Sequence, residues 1–434
     1  MSNIKKNSFY SLLGFALPTI VVLLGYPILI RSLGEAAFGL YVLATSLSGT
    51  LAFLDLGISA ATLKFVAEST ARGDRERFSK IVQTSFIFYG SVGLSGAIIL
   101  WYSSPFLVKL FSVEPGLTME GTWAFRISAI QFSIFFLNTV FLSIFKGVQR
   151  FDLSSLSLTL LSVLTYGGGI LIAMYTSLGL VGITGASLVA NLMSLALSGY
   201  LAKQIFREHG ISFKNSRPTF EVFRNMFSFS SILTLNSLAN FMLYQIQRYL
   251  IGILLGPAAV SAYQVAMTIP SKAHSVVNAV TETLFPLASA TKNLQNLRAT
   301  YLKMLIASLC IAALALLPLA VCSDLLLLLW MGTPAGSETG RLIPILAAAY
   351  FFIALSPAPY HIANGAGKPW YNTAAFLLNG LTNLLFIAIF SIDGITIIDF
   401  AWAFAVSNIL NAIIYQAWIE LAIWRRQKNE PVGI

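Results

Sequence analysis

The sequence predicts an all-α polytopic membrane protein of about 12 transmembrane helices in two sets of six. Three observations carry that prediction. Hydrophobic residues fill 57% of the 434 positions and charged residues only 10%, where soluble domains carry about 25% charged residues. The mean hydropathy is +0.78. The apolar residues form continuous runs near the ~20 residues that cross the hydrocarbon core as a helix, without the short alternating segments of a barrel strand. The positive charge gathers on alternate connections between the runs. Disorder, a coiled coil and a soluble enzyme are excluded, because a water-soluble chain has no place to hide this much apolar surface.

In chain order the predicted spans lie near 8–31, 38–60, 81–103, 122–145, 153–176, 180–202, 226–251, 259–284, 303–322, 341–362, 373–391 and 399–423. The first is too long for a signal peptide and no small-residue cleavage site follows it. With the N-terminus inside, 21 of the 27 Lys and Arg fall on inner segments, so both termini are expected to be cytoplasmic. All seven Trp lie near span ends, where interfacial anchoring puts them. The longest connection, 203–225, divides the chain into an N-terminal six-helix lobe (1–202), a cytoplasmic linker (203–225) and a C-terminal six-helix lobe (226–434).

The lobes echo each other. Leu33-Gly34-Glu35-Ala36-Ala37-Phe38-Gly39-Leu40-Tyr41 joins spans 1 and 2. Leu255-Gly256-Pro257-Ala258-Ala259-Val260-Ser261-Ala262-Tyr263 joins spans 7 and 8, 222 residues later. Arg75 and Lys80 correspond to Arg298 and Lys303, and Arg126 to Arg341. Six plus six spans in one orientation imply parallel repeats, which place a substrate path between the halves.

Four segments carry a family resemblance: Ile30-Arg31-Ser32-Leu33-Gly34, Phe38-Gly39-Leu40-Tyr41, Asp55-Leu56-Gly57-Ile58-Ser59 and Lys64-Phe65-Val66-Ala67-Glu68. Ile269-Pro270-Ser271-Lys272 and Leu284-Phe285-Pro286 add to them. The pattern resembles the polysaccharide-exporter family, which includes O-antigen and capsule-repeat flippases. That family shares a superfamily with multidrug and toxin extrusion transporters and lipid II flippases. The resemblance implies two lobes around a central cavity, set in a bacterial cytoplasmic (inner) membrane. It also implies movement of an undecaprenyl-diphosphate-linked oligosaccharide from the inner to the outer leaflet by alternating access. Membrane lipids, a polysaccharide polymerase and other assembly proteins are the further partners it implies. A lipid II flippase typically has fourteen spans and a charged pair in its first helix. Span 1 here has no charge before Arg31.

A flippase must carry a diphosphate and a sugar chain past hydrocarbon, so its path needs cations for phosphates and hydroxyl, amide or aromatic groups for sugars. Asn236, Asn240, Tyr244, Gln247 and Arg248 fall at helical spacing on span 7, making Arg248 the leading cavity cation. The alternative is an interhelical hydrogen-bond seam with Arg248 snorkelling outward. Lys272 lies mid-span 8 after Pro270, near Gln264 and Asn278, and is a second phosphate candidate. Arg31 either anchors an outer turn or touches substrate. Asp55, the one acid deep in the first lobe, is a candidate for proton or Na⁺ coupling, or else a structural partner. Arg126 and Arg341 read as interfacial anchors and His274 as a hydrogen-bonded structural histidine.

Several features point away from other classes. Asn364-Gly365-Ala366-Gly367-Lys368-Pro369 lacks the glycine spacing and the Ser/Thr of a phosphate loop. Three His and two Cys show no metal spacing, so no cofactor is expected. The loop from Arg72 to Lys80 includes Asp74 and Glu76, which suits anionic lipid headgroups rather than nucleic acid. A cation-coupled drug exporter calls for acids in the cavity, and the spans offer chiefly Asp55, Glu282 and Asp399. A membrane enzyme that joins or transfers glycan needs a sizeable outer loop of Arg, His or acids.

Overall fold

The computed structural model describes residues 19–50, 54–212, 217–240, 245–281, 284, 294–332, 337–366, 368, 370–392 and 394–421. Among them there is no strand. The chain is all-α, as its composition predicts, because a segment in lipid must satisfy every backbone N–H and C=O within itself. Eight helices are long and apolar enough to cross a membrane, and three shorter ones are apolar, Thr19–Leu33, Glu35–Leu47 and Ile246–Leu255. Length and composition therefore single out eight stretches among the described residues, with Glu338–Gly365 taken as one, and do not confirm the expected count of twelve.

The first seven helices are α1 (Thr19–Leu33), α2 (Glu35–Thr50), α3 (Ile58–Arg72), α4 (Arg75–Leu110), α5 (Thr118–Gly147), α6 (Phe151–Tyr175) and α7 (Gly179–Glu208). The others are α8 (Phe220–Asn240), α9 (Ile246–Leu255), α10 (Pro257–Thr281), α11 (Leu294–Val321), α12 (Ser323–Met331), α13 (Glu338–Ile353), α14 (Pro357–Gly365), α15 (Trp370–Phe390) and α16 (Ile397–Ile419). Three expected spans map onto more than one helix. Span 2 (38–60) covers α2 and the start of α3, with a tight turn at Leu56 (φ 47°) and Gly57 (φ 70°). Span 7 is described as α8 and α9, and span 10 as α13 and α14 with Ala354–Ser356 between them.

The helices group into two compact units, Met1–Leu238 with Gly256–Ala258, and Ala239–Leu255 with Ala259–Ile434. In the first, α5 is the hub, packed on α2, α3, α4, α6 and α7. Its contact with α4 depends on glycine. A Cβ on Gly96 would stand 2.2 Å from Phe132 Cε1, and one on Gly93 would stand 3.2 Å from Ser133 Cα. In the second unit α16 packs on α9, α13, α14 and α15.

Polarity runs opposite to that of a soluble core. Along α7 the buried side chains include Thr184, Ser187, Ser194 and Ser198, while Val189, Leu192 and Met193 are exposed. Ser157 and Ser198 hydroxyls bond across α6 and α7, and Asn138 Nδ2 donates to Ser194 Oγ at 3.4 Å. Lipid tails solvate Leu as well as a protein interior does, so small polar residues take the helix interfaces.

The 222-residue echo is also a structural one. Gly34 (φ 81°) and Gly256 (φ 83°) both take the left-handed conformation that favours glycine. Each ends one helix at the preceding Leu and starts the next at the following residue. Seven residues on from each, Tyr41 and Tyr263 are both buried.

Candidate functional site

Polar groups converge on a cavity of about 260 Å³ within the second unit. Five helices, α10 and α13 to α16, build it. His274 and Asn278 come from α10, Ser356 from the α13–α14 junction, Tyr360 from α14, Asn379 from α15, and Asn408 and Asn411 from α16. Ile353, Pro357 and Phe376 supply the apolar wall.

Local sequence explains the break that opens this cavity. Pro357 and Pro359 interrupt the hydrogen-bond ladder, because proline has no N–H to give. Ser356 itself stays in right-handed geometry (φ -86°, ψ -30°), and Pro359 leaves the Leu355 carbonyl without its helical donor. A carbonyl freed at membrane depth needs a partner. Gln416 Nε2 donates to Leu355 O at 2.6 Å, and Tyr301 donates its hydroxyl to Gln416 Oε1 at 2.5 Å.

Carboxamides line one side. Asn379 Nδ2 donates to Asn408 Oδ1 at 2.9 Å, and Asn408 Nδ2 donates to Phe404 O at 2.7 Å. Asn383, one turn along α15, donates to Ser407 Oγ at 3.2 Å. Asn379 Oδ1, Asn411 Oδ1 and His274 Nδ1 are buried and have no hydrogen-bond partner among the described residues. A buried polar atom left unpaired is costly, so these atoms mark places where a ligand hydroxyl or water completes the network. His274, read from sequence as a bonded structural residue, instead presents that open nitrogen beside Tyr350, with ring centroids 5.9 Å apart.

Sequence reasoning missed most of this lining. Its signal was present, with Asn372, Asn379 and Asn383 on one face of α15 and Asn408, Asn411 and Tyr415 on one face of α16. Both spans otherwise read as apolar, and the charges of the second, Asp399 and Glu420, lie at its ends, away from these asparagines.

The expected site residues scatter. Arg248 is half-buried on α9, and its Nη1 donates to Gln245 Oε1 at 3.2 Å. Gln247, which spacing put on the same polar face, is spent on structure: its Nε2 donates to Phe400 O of α16 at 2.6 Å and the side chain is buried. Lys272 and Gln264 are half-buried on α10. Lys272 is two residues from His274, about 200° around the helix, and does not line the cavity. The side chains of Asn236 and Asn240, and all of Tyr244 and Glu282, lie outside the described residues.

In the first unit Arg31 is exposed at the end of α1. Asp55 accepts from Ser59 N at 3.1 Å and Ser59 Oγ at 2.7 Å, and from the buried Tyr89 hydroxyl. It thereby ties the start of α3 to α4. Arg126 lies over Trp101 and Trp123, 5.4 and 5.2 Å from their ring centroids, a cation–π clamp. Asp399 forms a reciprocal capping box with Thr396 at the start of α16, so it is a helix cap. No group of three metal-ligating side chains occurs among the described residues.

The family model for polysaccharide biosynthesis protein matches residues 4–292. The chain belongs to the polysaccharide biosynthesis protein family. That membership bears out the resemblance seen in spans 1, 2 and 8. Among curated relatives of this family member, a Shigella flexneri protein named as an O-antigen transporter is 22% identical over 96% of this chain and 97% of its own length. A Haloferax volcanii protein named as a low-salt glycan biosynthesis flippase is 23% identical over 92% of this chain and 80% of its own. In fold the chain is similar to an inward-facing multidrug resistance MATE transporter of the MOP superfamily. The TM-score is 0.78 at 17% identity, covering 95% of this chain and 96% of that one. It is also similar to the lipid II flippase MurJ, with a TM-score of 0.73 at 14% identity, covering 95% and 87%. This family member is a multi-pass membrane protein, and its fold is similar to that of these two proteins.

Proposed function

We propose that the protein is a flippase that moves an undecaprenyl-diphosphate-linked oligosaccharide repeat unit from the inner to the outer leaflet of the cytoplasmic membrane by alternating access, for surface polysaccharide synthesis. The observation that carries this reading is membership of the polysaccharide biosynthesis family over residues 4–292. The near full-length likeness to the Shigella relative supports it.

The chemistry of the cavity fits the sugar half of that cargo. Each asparagine side chain both donates and accepts, as a sugar hydroxyl does, and Asn379 and Asn411 keep an acceptor oxygen open. Tyr360 and Phe376, whose rings lie 6.0 Å apart, offer faces to the apolar side of a pyranose. In this reading Arg248 and Lys272 meet the diphosphate, where cations offset the cost of moving anionic oxygens out of water. The lipid tail stays in the bilayer. Both termini are cytoplasmic, and Asp55 takes part in ion coupling.

The test uses a flippase-null cell that has lost its surface polysaccharide. The wild-type chain restores the polymer. Asn411→Leu, Arg248→Ala and Lys272→Ala insert normally and restore less than a tenth of it, roughly the loss expected from ~1.4 kcal/mol of lost transition-state stabilisation. Wild-type restoration by all three variants overturns these residue assignments. A wild-type chain that restores no polymer, yet protects a pump-deficient strain from amphiphilic drugs, overturns the substrate class.

A further inference from the structure

We propose that a groove on α4, α5 and α7 of the first unit binds one anionic phospholipid of the surrounding bilayer, with its phosphate on Lys203 and an acyl chain along a phenylalanine wall. The groove has a volume of about 500 Å³. Its walls are apolar, formed chiefly by Phe86, Ile87, Phe141 and Phe206. Phe86 and Phe141 meet edge to face with centroids 5.2 Å apart. Gly199 also lines the groove, and a Cβ there would stand 3.7 Å from Phe141 Cζ, in van der Waals contact with that wall, so a bulky side chain would enter the groove.

The helix register gives the groove two ends. Gly199, Lys203 and Phe206 follow i, i+4, i+7 spacing on α7, and Gln83, Phe86 and Ile87 follow i, i+3, i+4 on α4, so each set shares one face. Lys203 lies a turn beyond Gly199 toward the end of α7. Gln83 lies a turn before Ile87 toward the start of α4. Those helix ends are neighbours: Phe78 packs on Phe206 at 6.3 Å, and Ser79 Oγ donates to Ser212 O at 3.1 Å. Lys203 and Gln83 therefore lie nearer the helix termini than Gly199, Phe86 and Ile87, with Phe206 flanking the lysine on its terminal side, and the apolar wall of α4 runs deeper.

Charge decides the occupant. Lys203 is the one charged residue lining the groove. It is exposed, and among the described residues no carboxylate forms an ion pair with it. A cation above apolar walls on membrane-spanning helices matches a phosphate headgroup above an acyl chain. Free phosphate would leave the aromatic wall unused. An uncharged helix of a partner protein would leave the ammonium without a counter-ion.

The full chain is tested by native mass spectrometry in detergent, titrated with dioleoyl phosphatidylglycerol or dioleoyl phosphatidylethanolamine. The first phosphatidylglycerol binds about fivefold more tightly than phosphatidylethanolamine, the ratio one lysine near an anionic headgroup supplies. Lys203→Ala removes that preference and Lys203→Arg keeps it. Gly199→Phe abolishes the first binding event for both lipids. Lys203 is exposed, so its variants report on the site even if Gly199→Phe does not fold. Equal binding of the two lipids by the wild type, or an unchanged preference in Lys203→Ala, overturns the proposal. Recovery of a polyisoprenyl diphosphate in place of phospholipid from the purified wild type, with loss in Lys203→Ala, overturns the assigned occupant.

Discussion

Asn408 and Asn411 sit one turn apart on α16 and have different roles. Asn408 is bonded on both sides, to Asn379 and to the Phe404 carbonyl, whereas Asn411 keeps its buried oxygen unpartnered. Asn408→Ala should therefore lower the apparent melting temperature, losing about 0.6–1.7 kcal/mol for an interhelical bond in a membrane. Asn411→Ala should leave melting nearly unchanged and lower transport. Differential scanning fluorimetry beside a transport assay separates the two. Asp55 accepts from the Ser59 backbone N–H in the first turn of α3 and from the Tyr89 hydroxyl. Asp55→Ala should cost about 0.5–2 kcal/mol, the range for losing a side-chain acceptor at a helix start. Asp55→Asn retains an acceptor oxygen and should be milder in the same melt.

The repeat is most plainly tested at the scale of the element. Gly34 and Gly256 have nearly equal positive φ, and neither has an atom within 4 Å of an added Cβ. Alanine at either position meets open space, so its penalty is purely the left-handed backbone, about 1–2 kcal/mol. Gly34→Ala and Gly256→Ala should lower the melting temperature by similar amounts, and asparagine at either site should lower it less. Gly96 is a different case. Its penalty is steric, because the Phe132 ring occupies the space of a Cβ. Gly96→Val should separate α4 from α5 and cost several kcal/mol as an overpacking change. Phe132→Ala in the same chain should recover part of that loss, a coupling that a double-mutant cycle measures.

For the whole molecule, the all-helical membrane class was legible from composition and run length, since both follow directly from the solvent. The repeat was legible at Leu33–Tyr41 and Leu255–Tyr263 because a helix–glycine–helix turn leaves a local signature. The candidate cavity was not. Sequence patterns drew attention to charge, at Arg248 and Lys272, while the structure assembles its buried polar site from neutral asparagines on α15 and α16 and a proline break at Ser356–Pro357. Long-range packing decides which polar groups meet, as Gln247 shows by bonding to Phe400 in place of facing a cavity with Arg248. The charge asymmetry of the sequence makes a further prediction for the whole chain. In a Cys310→Ser, Cys322→Ser background, a cysteine at Ser112 should react with a membrane-impermeant maleimide in intact cells. A cysteine at Gly73 should react only after permeabilisation, and the reverse pattern contradicts the inside placement of the termini.

Movement of a lipid-linked oligosaccharide is measured most directly as its flipping by the purified chain in proteoliposomes. A fluorescent undecaprenyl-diphosphate oligosaccharide is placed in one leaflet and its arrival in the other is read by an impermeant quencher. The expected result is protein-dependent transfer that Asn411→Leu and Arg248→Ala slow by about tenfold. Transfer no faster than in protein-free vesicles contradicts the proposed function.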